Sequence, residues 1–68
     1  MNFKELRKRK NLTLEQASSE LGIGLQSLCR YENQSRIPKK AILKKMVSLY
    51  ECNAEELGGA ILNNIKES

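Results

Sequence analysis

Few of the 68 residues can do covalent or metal chemistry. There is no histidine, and Cys29 and Cys52 are the only two thiols. A nucleophile activated by imidazole therefore cannot be assembled, and a zinc site of the usual four ligands lacks donors. A glycine-rich phosphate loop is also missing. What the chain does carry is cationic and hydrogen-bonding side chains, twelve Lys and Arg against eight Asp and Glu, for a net charge of +4. That balance favours polyanions without identifying one. The distribution is more informative. Lys4, Arg7, Lys8, Arg9 and Lys10 crowd the start, Arg30 and Arg36 follow, then Lys39, Lys40, Lys44 and Lys45, whereas Glu51, Glu55, Glu56 and Glu67 come late. The chemistry on offer is non-covalent recognition of a negatively charged partner by a basic face built from the first two-thirds. No enzyme activity, cofactor or metal is expected, and a chain this short leaves little room for an enclosed active site.

Those groups must be positioned by helices, because the apolar residues recur at helical spacing and strand alternation is absent. Phe3 and Leu6 start a helix running to about Lys10. Thr13 and Gln16 form a capping box, in which the hydroxyl accepts from the third helical amide and the Gln side chain returns to the cap amide. The second helix therefore begins there, with Leu14, Ala17 and Leu21 on one face, and Gly22 ends it where a left-handed residue costs least for glycine. Gly24 caps a third helix over Leu25 to Glu32. Leu28 and Tyr31 face inward, leaving Leu25, Gln26, Cys29 and Arg30 outside or on the flank. Pro38 suits the first position of a fourth helix, since its missing amide proton would have no partner there. That helix is expected to reach Tyr50, with Ile42, Met46, Leu49 and Tyr50 inward. Asn53 with Glu56 is a second capping signature and predicts a short fifth helix from Ala54 to about Leu57, interrupted by Gly58 and Gly59. The apolar spacing of Leu57, Ile61 and Ile65 then marks the tail.

Two short helices joined by Gly22-Ile23-Gly24 have the geometry of a helix-turn-helix. In such a pair the first helix lies across the phosphate backbone. The second enters the major groove, whose width of about 12 Å admits one helix with its N-terminal residues against base edges.

The runs Leu12-Thr13-Leu14-Glu15-Gln16-Ala17, Leu21-Gly22-Ile23, Leu28-Cys29-Arg30-Tyr31-Glu32-Asn33 and Arg36-Ile37-Pro38 resemble the Cro/repressor-type (Xre-like) family. That family commonly reads Leu-Ser/Thr-Gln, then Leu-Gly-Val, then Ile-Ser-Arg-Tyr/Trp-Glu and a proline before the fourth helix. The resemblance covers about Phe3 to Leu57. It implies an all-α fold, a compact five-helix bundle of the lambda-repressor-like type, that binds double-stranded DNA as a homodimer and often represses transcription. Carried over position by position, it places Leu25, Gln26 and Arg30 against bases. It places Thr13, Ser27, Asn33, Arg36, Lys39 and Lys40 along the backbone. Arg7 and Glu32 match a pair that forms an internal salt bridge. Two polar contacts of the pattern are missing: Leu14 stands where a DNA-contacting Gln is usual, and Gly24 where a Ser or Thr often caps the recognition helix. Gln34 replaces a usual glycine and Glu51 a small or polar turn residue, each at a possible left-handed site, with Asn33 an alternative to Gln34.

The domain is drawn at residues 1–58, with 59–68 as a tail whose Leu57, Ile61 and Ile65 stripe serves a dimer seam. Lys4, Lys8, Lys44 and Lys45 are read as solvated. Met1 leads straight into a charged segment and no run approaches the roughly 20 apolar residues of a membrane span. A reduced cytoplasmic protein is therefore expected, with Cys29 passive and Cys52 a buried hydrophobe. The reading also admits a protein antagonist of unknown identity. A second reading keeps the fold but gives the Leu14, Leu25 and tail surfaces to protein partners, as an interaction module or antirepressor.

Overall fold

A computed structural model of the chain describes residues 2–33 and 36–67, and its elements are set by their caps. Helix α1 spans Phe3–Arg9 and opens on a capping box: Asn2 Oδ1 accepts from the Glu5 amide at 2.8 Å and Glu5 Oε1 accepts from the Asn2 amide at 2.9 Å. Helix α2 spans Leu14–Leu21 and opens on the predicted Thr13–Gln16 box, with both bonds formed at 2.9 and 3.0 Å. Helix α3 spans Leu25–Glu32 behind Gly24, which supplies no side-chain cap. Helix α4 spans Lys40–Tyr50, and α5 spans Ala54–Glu67 behind the Asn53–Glu56 box. The described residues contain no strand.

Two boundaries differ from the sequence-based expectation. Helix α4 begins two residues after Pro38, with Lys39 as an extended N-cap whose carbonyl takes the first helical bond from the Leu43 amide at 2.9 Å. Proline fixes φ but not ψ, so it fits an extended lead-in as well as a first helical turn. The larger correction is α5, which runs unbroken through Gly58 and Gly59 for 14 residues. Each glycine costs a helix interior up to about 1 kcal/mol, but what lies beyond them offsets that cost. Ala60 is fully buried, Asn64 nearly so, and Ile61 packs partly buried against the core, as Leu57 does just before the glycines. The boundary expected after residue 58 therefore falls inside a continuous helix. A Cβ at Gly58 would meet nothing within 4 Å. Gly58→Ala is accordingly expected to stabilise by about 0.5–1 kcal/mol, read as a higher urea midpoint at unchanged slope.

The core draws on all five helices. Phe3 and Leu6 from α1, Ala17 and Leu21 from α2, Leu28 and Tyr31 from α3, Met46 and Tyr50 from α4, and Ala60 from α5 form one buried cluster, with Cys52 beside them. Burying the large apolar members supplies the main driving force. Leu14, Ile42, Leu43, Val47 and Leu49 pack partly buried around it. Tyr50 is fully buried, and its Oη has no partner among the described residues. Burial pushes that hydroxyl up to about 12, so it stays neutral at ordinary pH. Burial also raises the Cys52 thiol, and both cysteines are free.

Left-handed backbone occurs at Gly22, Asn11 and Glu51, with φ of 71°, 57° and 50°. Glu51 is the turn position singled out above, and Asn11 was not anticipated. Asn33 has φ −87°, so it does not take that conformation, and Gln34 lies outside the described residues. Exposed ion pairs brace these turns: Lys10 Nζ donates to Glu51 Oε2 at 2.7 Å, and Arg9 forms a two-pronged pair with Glu56. The partners hold both carboxyls below the ordinary glutamate value.

Candidate nucleic-acid interface

The angle between α2 and α3 is set by main-chain bonds. The Gly22 amide donates to Ser19 O at 3.2 Å and the Ile23 amide to Ser18 O at 3.0 Å, the paired closure of a Schellman turn. Only a residue that tolerates positive φ completes it, and Gly22 does so without crowding, since a Cβ there would lie an ordinary 3.5 Å from Lys45 Nζ. Lys45, read above as solvated, reaches the end of α2 and donates to Leu21 O at 3.4 Å. A cation there also meets the negative end of the helix.

Helix α3 then presents two different faces. Leu28 is fully buried and Tyr31 nearly so, while Leu25, Gln26 and Arg30 are exposed and Ser27 and Cys29 half-buried. Gln26 and Arg30 stand four residues apart and so share one side of the helix. Leu25, at 44% exposure, precedes them on the first turn, beside the open N-terminus left by Gly24. An amide and a guanidinium one turn apart can each make two hydrogen bonds to the major-groove edge of a base, and a leucine can cover a methyl group.

The attitude of α3 is fixed from its C-terminal end. Arg7 Nε donates to Glu32 Oε2 at 2.7 Å and Nη2 to Glu32 Oε1 at 3.1 Å, while Nη1 donates to Leu12 O at 2.7 Å. Both charged side chains are nearly buried, with 7% and 5% exposure. The pair expected from the resemblance thus ties α1, the α1–α2 loop and α3 together. Its hydrogen bonds to Glu32 raise the Arg7 guanidinium further above its already high value, so the cation persists.

Of the residues assigned to backbone contact, Ser27 lies half-buried in the first turn of α3 and the others at or near element ends. Thr13 is exposed at the start of α2, and its Oγ1 accepts from the Gln16 amide, leaving the hydroxyl proton for an external acceptor. Asn33 is exposed at the end of α3, Arg36 in the segment after it, and Lys39 and Lys40 at the start of α4. Lys39 makes no side-chain cap, so the first-turn amides of α4 and two cations face the same end. Anionic groups bind well at such a terminus.

One residue of this region escaped the sequence reading. Asn64, on α5 and 2% exposed, donates through Nδ2 to Tyr31 O at 3.2 Å and to Arg36 O at 3.1 Å. An asparagine in a presumed tail beyond two glycines offered no signal of that placement. The seam residues are divided: Leu57 and Ile61 are partly buried against the chain's own core, while Ile65 and its neighbour Leu62 are exposed at 52% and 60%. A groove of about 500 Å³, lined by Leu12, Glu15, Gln16, Ser19, Glu20 and Leu49, includes none of the base-facing residues. Its two carboxylates would repel phosphate. Among the described residues no helix is long and apolar enough to cross a membrane, and no three His, Cys, Asp or Glu come together as metal ligands.

A family model described as helix-turn-helix matches residues 3–57. No curated protein and no solved structure matches the chain.

Proposed function

The chain belongs to the Cro/repressor-type helix-turn-helix family, and from that membership we propose that it is a sequence-specific regulator of transcription that reads double-stranded DNA with α3 and acts as a repressor. The observation that carries this reading is the two-faced α3, with Leu28 and Tyr31 buried beneath Gln26 and Arg30. Arg30 reads a guanine, Gln26 an adenine and Leu25 a thymine methyl. Thr13, Ser27, Asn33, Arg36, Lys39 and Lys40 hold the register by contacting phosphates. Each copy has a single recognition helix and measures 27 × 23 × 21 Å, whereas successive major grooves lie about 34 Å apart. Two copies therefore read two half-sites, joined through the exposed Leu62 and Ile65 face of α5 with Leu57 and Ile61 behind it. No cofactor takes part.

Polarisation titrations of a labelled duplex over a range of salt test the phosphate contacts. Arg36, Lys39 and Lys40 in two copies amount to six cations, which predicts a log–log salt slope of about −5. Lys40→Ala is expected to weaken all duplexes alike and to shallow the slope by about one for each copy bound. Absence of salt-sensitive binding at micromolar protein would overturn the assignment. It would favour a second reading, supported by the 44% and 45% exposure of Leu25 and Ile37, in which this face docks a protein partner.

A further inference from the structure

Resting on the DNA-binding reading above, we infer that Asn64 is a positioning residue for that interface, fixing Arg36 against the last turn of α3 so that its side chain meets a phosphate. A single carboxamide grips two main-chain carbonyls five positions apart, Tyr31 O in the last turn of α3 and Arg36 O on the way to α4. Only the NH2 end can donate to both, so the side chain's orientation is determined. That orientation leaves Asn64 Oδ1 buried and without a partner among the described residues. An orphaned acceptor lowers stability, and a leucine of similar shape would avoid it. The residue is therefore poorly explained as core filling and well explained by the two carbonyls it holds. Tyr31 O lies in the last turn of α3, where the regular intrahelical pattern runs out, and it takes the Asn64 carboxamide beside the Asn33 cap amide. Arg36 O has no helix to satisfy it, and the Arg36 side chain leaves the gripped residue exposed to solvent. By this bond α5 is a strut of the DNA-contacting surface.

The test uses the full chain carrying Asn64→Leu, which removes both donors and the orphaned oxygen together, and Asn64→Asp, which keeps the shape but not the donors. Folding is checked by circular dichroism and urea titration, and Asn64→Asp serves if Asn64→Leu does not fold. The expected result is a folded variant with duplex affinity reduced on the order of tenfold, as for loss of one or two modest interactions, and a shallower salt slope. Arg36→Ala should then weaken the wild type but add little in the variant background, because the two residues act on one contact. Backbone order parameters at Arg36 and Ile37, from 15N relaxation, should fall in the variant with or without DNA. A folded variant with wild-type affinity and slope, or an Arg36→Ala effect equal in both backgrounds, overturns the assignment. If the wild type itself shows no salt-sensitive duplex binding, the regulator reading fails and the relaxation measurement alone decides whether Asn64 holds Arg36: unchanged order parameters reject it.

Discussion

Glu32→Ala is expected to lower the unfolding free energy by about 3–5 kcal/mol. The substitution leaves the Arg7 guanidinium nearly buried with one hydrogen bond, to Leu12 O, in place of three. A buried cation deprived of its anion loses both Coulomb energy and bonded protons, while its desolvation cost remains. A single core of this size supplies in total only about 3–5 kcal/mol. Glu32→Ala should therefore be largely unfolded at 25 °C, as followed by circular dichroism. Glu32→Gln retains one acceptor and should be intermediate. A well-folded Glu32→Ala protein that loses less than about 1 kcal/mol, within the range of an exposed pair, would show that the ion pair does not set the attitude of α3. The exposed pairs Arg9–Glu56 and Lys10–Glu51 provide the contrast, since water and salt screen them.

Arg30→Ala is expected to act on recognition and to leave folding alone. Arg30 is exposed on α3, on the side shared with Gln26 and opposite the buried Leu28. Its guanidinium is the group best shaped to donate two bonds to guanine O6 and N7, a pairing that discriminates by about 1–3 kcal/mol. The variant should lose roughly 5- to 150-fold of preference at one base pair in each half-site, with preferences elsewhere intact. Lys40→Ala should instead weaken matched and mismatched duplexes together. Dissociation constants for a bound duplex and its single-substituted derivatives distinguish the two. An Arg30→Ala protein that keeps full discrimination at every position removes Arg30 from the readers.

Local signals foretold the helix-turn-helix almost to the residue. The Thr13–Gln16 box, the left-handed Gly22 and the inward spacing of Leu28 and Tyr31 each depend on residues within one or two turns. The start of α1 rests on the same device, the Asn2–Glu5 box, which lies in the first residues and went unread. The Arg7–Glu32 pair spans 25 positions and was legible only through the family resemblance. Features decided by packing were misread. Gly58 and Gly59 look like a helix end, and only the burial of Ala60 and Asn64 beyond them reveals why α5 continues. Pro38 fits two backbone roles, and the sequence nearby does not choose between them. Asn64 meets carbonyls 28 and 33 positions away, so no pattern around it could have marked it as part of the interface.

Function as a regulator requires α3 to read base edges, which selection of bound duplexes from a randomised pool by the wild-type chain puts to the test. The predicted result is enrichment of an inverted repeat whose half-sites are centred about 34 Å apart, with one position in each half-site randomised when Arg30→Ala is used instead. Recovery of duplexes with no sequence in common would contradict it.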